Sequence, residues 1–288
     1  MDAQIKDRKD KAGVLIEALP YIKKFYGRTV VIKYGGSAMT CHDLQERFAQ
    51  DIVLMKYVGI KPVIVHGGGP QIDRMLERVG IEPSFVDGLR ITDEATMEIV
   101  EMVLIGKVNK DIVSLINHHG GQAVGLSGKD GALIKTRKHA ASQDVDLGWV
   151  GEVEAINTRI VELLDSDDFI PVVAPIGYRN LKEGFNINAD LVAAEIAAAL
   201  QAEKLVYLTN TEGVKGKDGA AFSSLTIQEA RQLQKDGTIN QGMIPKINSC
   251  INALESGVQK AHIIDGRVSH SLLLEIFTDH GVGTEITH

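Results

Sequence analysis

A lysine set inside an apolar strand is the first residue here that could do chemistry. In Val30-Val31-Ile32-Lys33-Tyr34-Gly35-Gly36-Ser37 the charge interrupts a β-branched run, and two glycines follow at once. A buried ammonium is costly unless it meets an anion. Glycines let backbone N–H groups approach a ligand closely. The segment therefore reads as part of a phosphate site; the alternative is a lysine whose stem passes an ordinary Gly-Gly turn to reach water. Val63-Ile64-Val65-His66 repeats the device, running into Gly67-Gly68-Gly69-Pro70 before a helix that begins near Gln71. Three glycines between a buried strand and a helix N-terminus make a second anion cradle; the alternative is a flexible strand–helix loop. In an α/β sheet both turns fall at the carboxyl ends of the strands, where ligands bind.

Three more segments offer polar groups at helix starts. Phe185-Asn186-Ile187-Asn188-Ala189-Asp190 precedes an Ala-rich helix. Its amides and carboxylate serve either as helix caps or as holders of a polar substrate, with Asp190 orienting a lysine. Gly242-Met243-Ile244-Pro245-Lys246 places a cation where the helix dipole disfavours one, which an anion would explain and a solvated lysine would not need. Arg90, in Gly88-Leu89-Arg90-Ile91-Thr92, is a surface charge or a fork for a carboxylate, ahead of a helix expected to be capped by Thr92. His118-His119 before Gly120-Gly121 reads as a helix end. No GxxxxGK[ST] occurs, and Ile72 replaces the last glycine of a GxGxxG pattern, so P-loop and dinucleotide-oxidoreductase readings lack support.

These residues need a scaffold that brings several loops to one edge. Short Val/Ile-rich runs at Thr29–Tyr34, Pro62–His66, Ile170–Ala174, Lys204–Thr209 and Ala261–Asp265 predict buried parallel strands. Amphipathic stretches at Leu44–Val58, Gln71–Val79, Asp93–Asn117, Ala189–Ala202 and Ile227–Lys235 predict helices, the last opened by a Thr226/Glu229 capping box. Asp130-Gly131 and Asp218-Gly219 read as hairpin turns. Ala12–Tyr26 reads as a separate helix with Leu15, Leu19, Ile22 and Phe25 on a shared side, kinked by Pro20 and stopped by Gly27. It packs on its own domain or reaches another subunit.

With 288 residues, the chain suits one large domain or two closely joined ones. Its 31 Lys+Arg against 38 Asp+Glu give a net charge of −7, which argues against a broad nucleic-acid surface. Cys41 and Cys250 form no disulfide or zinc pattern. Together with a polar start and no apolar run of membrane-spanning length, they lead us to expect a cytoplasmic protein without a membrane segment.

Taken together, VVIKYGGSAM, VIVHGGGPQI, VDGLRIT, GFNINAD, YLTNTEGV and GMIPKI resemble, in order and combination, the amino-acid kinase family, from about Thr29 to the C-terminus. The resemblance implies an α/β fold: a three-layer α/β/α sandwich around one mainly parallel, open, continuous sheet. It divides the chain into an N-terminal helix (1–27), an acyl-substrate and dimerisation lobe (28–200) and an ATP lobe (201–288). It implies transfer of the ATP γ-phosphoryl group to the γ-carboxylate of N-acetyl-L-glutamate, with Mg²⁺ carried by ATP and no tightly bound protein metal. Lys33 and Lys246 would neutralise the transferring group, positioned by Asp190, with Gly36 and Gly69 offering N–H groups. Gly68, Gly69, Arg90, Asn186 and Asn188 would hold the acyl substrate. Asn210, Gly213, Lys215, Gly242 and Met243 would line the nucleotide site.

The family's arginine-sensitive members carry a kinked N-terminal helix and a C-terminal His…Glu…Gly signature. Here Tyr21, His262, Glu275 and Gly281 correspond, which implies feedback inhibition by L-arginine in a trimer-of-dimers hexamer. A PII-type signalling partner is compatible with this reading, though no residue is assigned to it. The competing expectations are a related kinase acting on glutamate, aspartate, carbamate or a nucleoside monophosphate, and a non-catalytic arginine sensor. The intact Lys33–Asp190–Lys246 set speaks against a sensor.

Overall fold

The computed structural model describes residues 2–140, 145–180, 183–239, 242–278 and 281–288, with only the backbone of residues 2–11 and Ser37. The chain opens with α1 (Asp2–Phe25), β1 (Thr29–Tyr34), α2 (His42–Tyr57), β2 (Lys61–His66) and α3 (Gly69–Arg78). A short ribbon, β3 (Phe85–Val86) and β4 (Leu89–Arg90), leads into α4 (Glu94–Glu101) and α5 (Asn109–His118). Next come β5 (Ala123–Ser127), β6 (Ile134–Lys138), β7 (Gly151–Ile156), α6 (Arg159–Ser166), β8 (Ile170–Ala174), β9 (Ile176–Tyr178) and β10 (Gly184–Asn186). The C-terminal part holds α7 (Ala189–Ala199), β11 (Lys204–Thr209), β12 (Ser224–Thr226), α8 (Ile227–Lys235), α9 (Ile244–Glu255), β13 (Lys260–Asp265), α10 (Ser271–Phe277) and β14 (Gly283–Thr287).

The main sheet has eight strands in the order β12-β14-β13-β11-β1-β2-β8-β5. From β13 to β5 every pairing is parallel; β14 runs antiparallel to β13. Alternation along β1 sorts its side chains between two layers. Val30, Ile32 and Tyr34 join the core formed with α2 and α5, while Val31 joins the core formed with α7 and α9. A period of two therefore puts Lys33 on the Val31 face, toward α7 and α9. The result is a three-layer α/β/α sandwich. The expected single sheet is instead accompanied by a four-stranded sheet, β10-β9-β6-β7, and the β3–β4 ribbon, so the hairpins form their own layer rather than an edge of the main sheet.

Several local expectations are corrected. The N-terminal helix begins at Asp2, ten residues before the apolar pattern sets in, and ends before Gly27, whose φ is 71°. The helix expected over Asp93–Asn117 is interrupted by a π-helical stretch at Met102–Val108; Gly106 inside it weakens the α geometry. Its cap is Asp93, accepting from the Thr96 N–H at 2.8 Å, not Thr92, whose hydroxyl donates to the Arg90 carbonyl. Asp130-Gly131 is not a hairpin turn: β5 and β6 lie in different sheets, and Asp130 accepts from the Ser127 N–H at 2.6 Å. Asp218-Gly219 does reverse the chain, closed by the Lys215–Ala221 antiparallel bridge. The Thr226/Glu229 capping box is formed. No helix among the described residues is long and apolar enough to cross a membrane.

Candidate active site

Three helix N-termini meet at one edge of the main sheet: α3 after the glycine loop that follows β2, α7 after Asn188, and α9 after Met243. Each presents the positive end of a helix dipole. Asn188 caps α7, its Oδ1 accepting from Asp190 N–H at 2.8 Å. Tyr207, beside Lys33 in register, donates its hydroxyl to the Asp190 carbonyl at 2.9 Å and fixes the start of α7 from below.

At this edge the carboxylate of Asp190 sits between two lysines. Lys246 Nζ donates to its Oδ2 at 2.9 Å, and Lys33 Nζ stands 3.0 Å from Oδ1 without hydrogen-bond alignment. Burial alone would raise the Asp190 carboxyl; the two ammonium groups outweigh it and hold it below the usual carboxylate range. Gly35 leaves the space that the Lys33 side chain takes: a Cβ there would collide with Lys33 Nζ. A Cβ on Gly36, at φ 70°, would collide with the Asn210 amide.

Two cavities meet at Lys33. One, of ≈ 240 Å³, is lined by Gly68, Gly69, Arg90, Asn186, Asn188 and Asp190 among others. Arg90 is held there by its Nη2 at 2.6 Å from Asp73 Oδ1 and by the Phe85 ring 4.6 Å from Cζ. Its Nη1 is buried with no partner among the described residues, a donor aimed at an absent acceptor. Asn186 donates to Thr92 Oγ1 at 3.3 Å. A Cβ on Gly69 would meet no protein atom within 4 Å, so protein packing does not require glycine there. The other cavity, of ≈ 340 Å³, is lined by Gly36, Thr209, Asn210, Thr211, Gly242, Met243 and Lys246. Gly213 and Lys215, expected with them, are not brought to it. Gly213 packs against Thr284, and Lys215 pairs with Glu212 at 3.0 Å on the surface.

Nothing in the sequence pattern marks Tyr207, Phe85 or Leu104. Tyr207 is one apolar strand residue among several, and Leu104, which packs against Gly68, lies in the π-helical stretch. Thr209 and Thr211 were visible only as neighbours of Asn210.

A third cavity, of ≈ 510 Å³, opens at the opposite edge of the sheet and gathers Tyr21, His262, Glu275 and Gly281 with Lys204, Lys260 and Glu285. Glu275 Oε1 is 2.6 Å from His262 Nδ1 and 3.3 Å from Lys204 Nζ. Burial pushes the His262 imidazole down, opposed by the Glu275 and Glu285 carboxylates. His262 Nε2 is buried 3.5 Å from Glu285 Oε2, without a hydrogen-bond partner among the described residues. A Cβ on Gly281 would strike the Glu275 carboxylate.

The pattern of the Amino acid kinase family matches residues 28–265. The chain is 59% identical over 286 residues to the acetylglutamate kinase of Syntrophobacter fumaroxidans, covering 96% of each. It is 57% identical to the acetylglutamate kinase of Nitrosospira multiformis, covering 96% of this chain and 97% of that one. Among solved structures, N-acetylglutamate synthase from Neisseria gonorrhoeae, complexed with coenzyme A and N-acetyl-glutamate, superposes with a TM-score of 0.87 at 30% identity, covering 96% of this chain. This chain spans 63% of the synthase's length. Giardia carbamate kinase, at 19% identity and a TM-score of 0.63, shares the fold. By this full-length similarity the chain belongs to the amino acid kinase family and, within it, groups with the acetylglutamate kinases.

Proposed function

We propose that the chain transfers the γ-phosphoryl group of MgATP to the γ-carboxylate of N-acetyl-L-glutamate. The carrying observation is the pair of cavities that meet at Lys33, one bearing the unpartnered Arg90 Nη1 and the other the Asn210–Gly242–Lys246 lining. A carboxylate oxygen attacks phosphorus, the bond to the bridging oxygen breaks, and ADP leaves with the electron pair. The nucleophile is already ionised, so no general base is required. Catalysis becomes alignment and charge neutralisation. Lys33 and Lys246 face the transferring oxygens; Asp190 positions both. Gly36 and Gly69 offer N–H groups to the same oxygens. Arg90 takes a substrate carboxylate, and Gly68, Asn186 and Asn188 complete the acyl pocket. The nucleotide rests against Asn210, Gly242 and Met243, and Gly213 and Lys215, which lie outside this cavity, take no part in holding it. Among the described residues no cluster of three metal-ligating side chains occurs, and Mg²⁺ enters as part of the ATP substrate.

The lining supports a division into an acyl lobe over 28–200 and an ATP lobe over 201–288, joined through β1. The third cavity supports feedback control by L-arginine. Glu275 and Glu285 suit a guanidinium, while Lys204 and Lys260 suit a carboxylate. The related synthase has also been solved with coenzyme A and L-arginine bound. Helix α1 supports assembly into a homo-oligomer, a trimer of dimers: Tyr21 and Phe25 pack on the chain's own core, while Val14, Leu15 and Ile16 stand exposed.

The test is MgATP-dependent acyl phosphate formation trapped as hydroxamate. N-acetyl-L-glutamate is offered beside glutamate, aspartate and carbamate, each with and without L-arginine. We expect activity confined to N-acetyl-L-glutamate and suppressed by arginine. Activity on another acceptor overturns the substrate, and no activity on any of them favours the sensor.

A further inference from the structure

His66 closes β2 and is fully enclosed, one residue before the glycine loop. Its Nδ1 lies 2.8 Å from the Gly67 carbonyl oxygen and its Nε2 lies 3.2 Å from Asn109 Nδ2. The Asn109 amide has a defined orientation. Its nitrogen also donates to the Val172 carbonyl at 2.9 Å, and its oxygen accepts from Lys110 Nζ at 3.1 Å. An amide nitrogen only donates, so His66 Nε2 accepts and the ring proton resides on Nδ1. Burial, with Lys110 adding to it, pushes the imidazole down to about 4, so the ring is neutral at pH 7.

That proton has a geometric consequence. The Gly67 N–H is already committed to the Tyr34 carbonyl at 2.8 Å. Among the described residues no peptide is cis. In a trans peptide the carbonyl and the following N–H point in opposite directions. A Gly67 carbonyl drawn into the core by His66 therefore sends the Gly68 N–H outward, to the crevice that Gly67, Gly68 and Gly69 line with Lys33. No backbone acceptor for that N–H occurs among the described residues.

We propose that His66, held in its Nδ1–H tautomer by Asn109, is a positioning residue that aims the Gly68 N–H at the substrate. The inference rests on the phosphoryl-transfer reading of the same crevice. It also explains why a histidine stands at the buried end of an apolar strand: the loop needs a neutral donor behind it, and a cation there would be desolvated.

Asparagine places its amide nitrogen where Nδ1 lies, and glutamine places its own where Nε2 lies. Steady-state kinetics with MgATP and N-acetyl-L-glutamate should show His66→Asn within about threefold of the parent kcat and His66→Gln reduced at least about tenfold, the size of one lost hydrogen bond. The KM for MgATP should not move. In Asn109→Asp the carboxylate draws the ring proton to Nε2 and turns the Nδ1 lone pair against the Gly67 carbonyl. Protonating the ring restores the donor, so the ratio of variant to parent kcat should rise as pH falls from 8 to 6. The groups acting on the ring are the Gly67 carbonyl, the Asn109 amide and Lys110 from α5, with Tyr34 beside it in register on β1. Equal losses in His66→Asn and His66→Gln, or a pH-independent deficit in Asn109→Asp, overturn the proposal. Histidine-selective ¹⁵N NMR of the unaltered protein decides the matter even where variants fail to fold: the Nδ1–H form supports it and the Nε2–H form sinks it. That readout stands if the chain proves inactive on N-acetyl-L-glutamate, so failure of the substrate reading is told apart from failure of this one.

Discussion

Two edges of the same parallel sheet carry buried carboxylates braced by basic groups, yet they are built for different work. At the carboxyl edge Asp190 lies between Lys33 and Lys246, with Arg90 nearby, and three helix N-termini point inward. Cations exceed carboxylates, and the helix dipoles add to the positive field, which suits a polyphosphate and an acidic acceptor. At the amino edge Lys204 and Lys260 are the first residues of β11 and β13, and the helix contribution comes from the last turn of α1, at Tyr21, Lys24 and Phe25. There the dipole is reversed and the charges are mixed: Glu275 and Glu285 stand beside the two lysines and the buried His262. Such a site suits a zwitterion with a cationic tail. A parallel sheet ordinarily binds at its carboxyl edge. The amino edge becomes usable here because antiparallel β14 places Glu285 opposite His262 and α1 roofs the cavity.

The contrast can be broken in a graded way. The largest effect is expected at the carboxyl edge. Lys33→Ala should lower kcat by about 10²–10³, or roughly 3–4 kcal/mol of transition-state stabilisation, with little change in the KM for ATP. Unchanged turnover in a steady-state assay would remove Lys33 from the chemistry. The next largest effect is one of pH. The buried His66 ring stays neutral to about 4, whereas an exposed ring titrates near 6.5. Between these values the unfolded chain binds more protons, so stability should fall as pH falls. The contribution is intact above about 6.5 and is lost by about pH 4, amounting to about 3 kcal/mol. Asp51, raised by burial to about 6, acts in the opposite direction over part of this range in both proteins, so the His66 contribution is read as a difference: denaturant titrations at pH 7, 5 and 4 should show the parent losing more stability than His66→Asn as pH falls.

At the amino edge, Glu275→Gln should raise the L-arginine concentration for half-inhibition at least about tenfold, the scale of one charge-assisted hydrogen bond, with kcat in the absence of arginine unchanged. Deleting residues 1–26 should abolish the arginine response and reduce the oligomer seen by light scattering. An intact response in either variant would separate this cavity from control. The smallest effect belongs to the margin of that edge. Thr226→Ala removes the capping box of α8 and should cost about 1 kcal/mol of stability without altering kcat.

Much of the carboxyl edge was legible because its devices are local. β1, β8 and β11 match their expected spans, since continuous apolar runs bounded by turn residues leave little choice of state. Lys33, the two glycine loops and Asp190 stand out because a charge in a strand and runs of glycine are each expensive without a ligand. The π-helical stretch was not legible: it changes hydrogen-bond register without changing the apolar pattern that marks the helix. The cap at Asp93 rather than Thr92 was likewise hidden, because Asn186, 94 residues away, takes the Thr92 hydroxyl. Gly213 and Lys215 lie close in sequence to Asn210, but the turn closed by the Lys215–Ala221 bridge carries them away from the cavity.

The sequence by itself determined the strand and helix alternation and the glycine-rich turns that follow β1 and β2, because these follow from local periodicity and from the conformations that glycine permits. Tertiary structure alone decided which distant groups meet. Lys33 and Lys246 lie 213 positions apart and share one carboxylate only because β1 and the starts of α7 and α9 converge. The proton on His66 was decided in the same way. Nothing near it in the sequence selects a tautomer; an amide from α5, fixed by a carbonyl of β8, does. Local pattern sets which groups the chain offers, and the parallel sheet, by stacking strand ends at one edge, sets which of them act together.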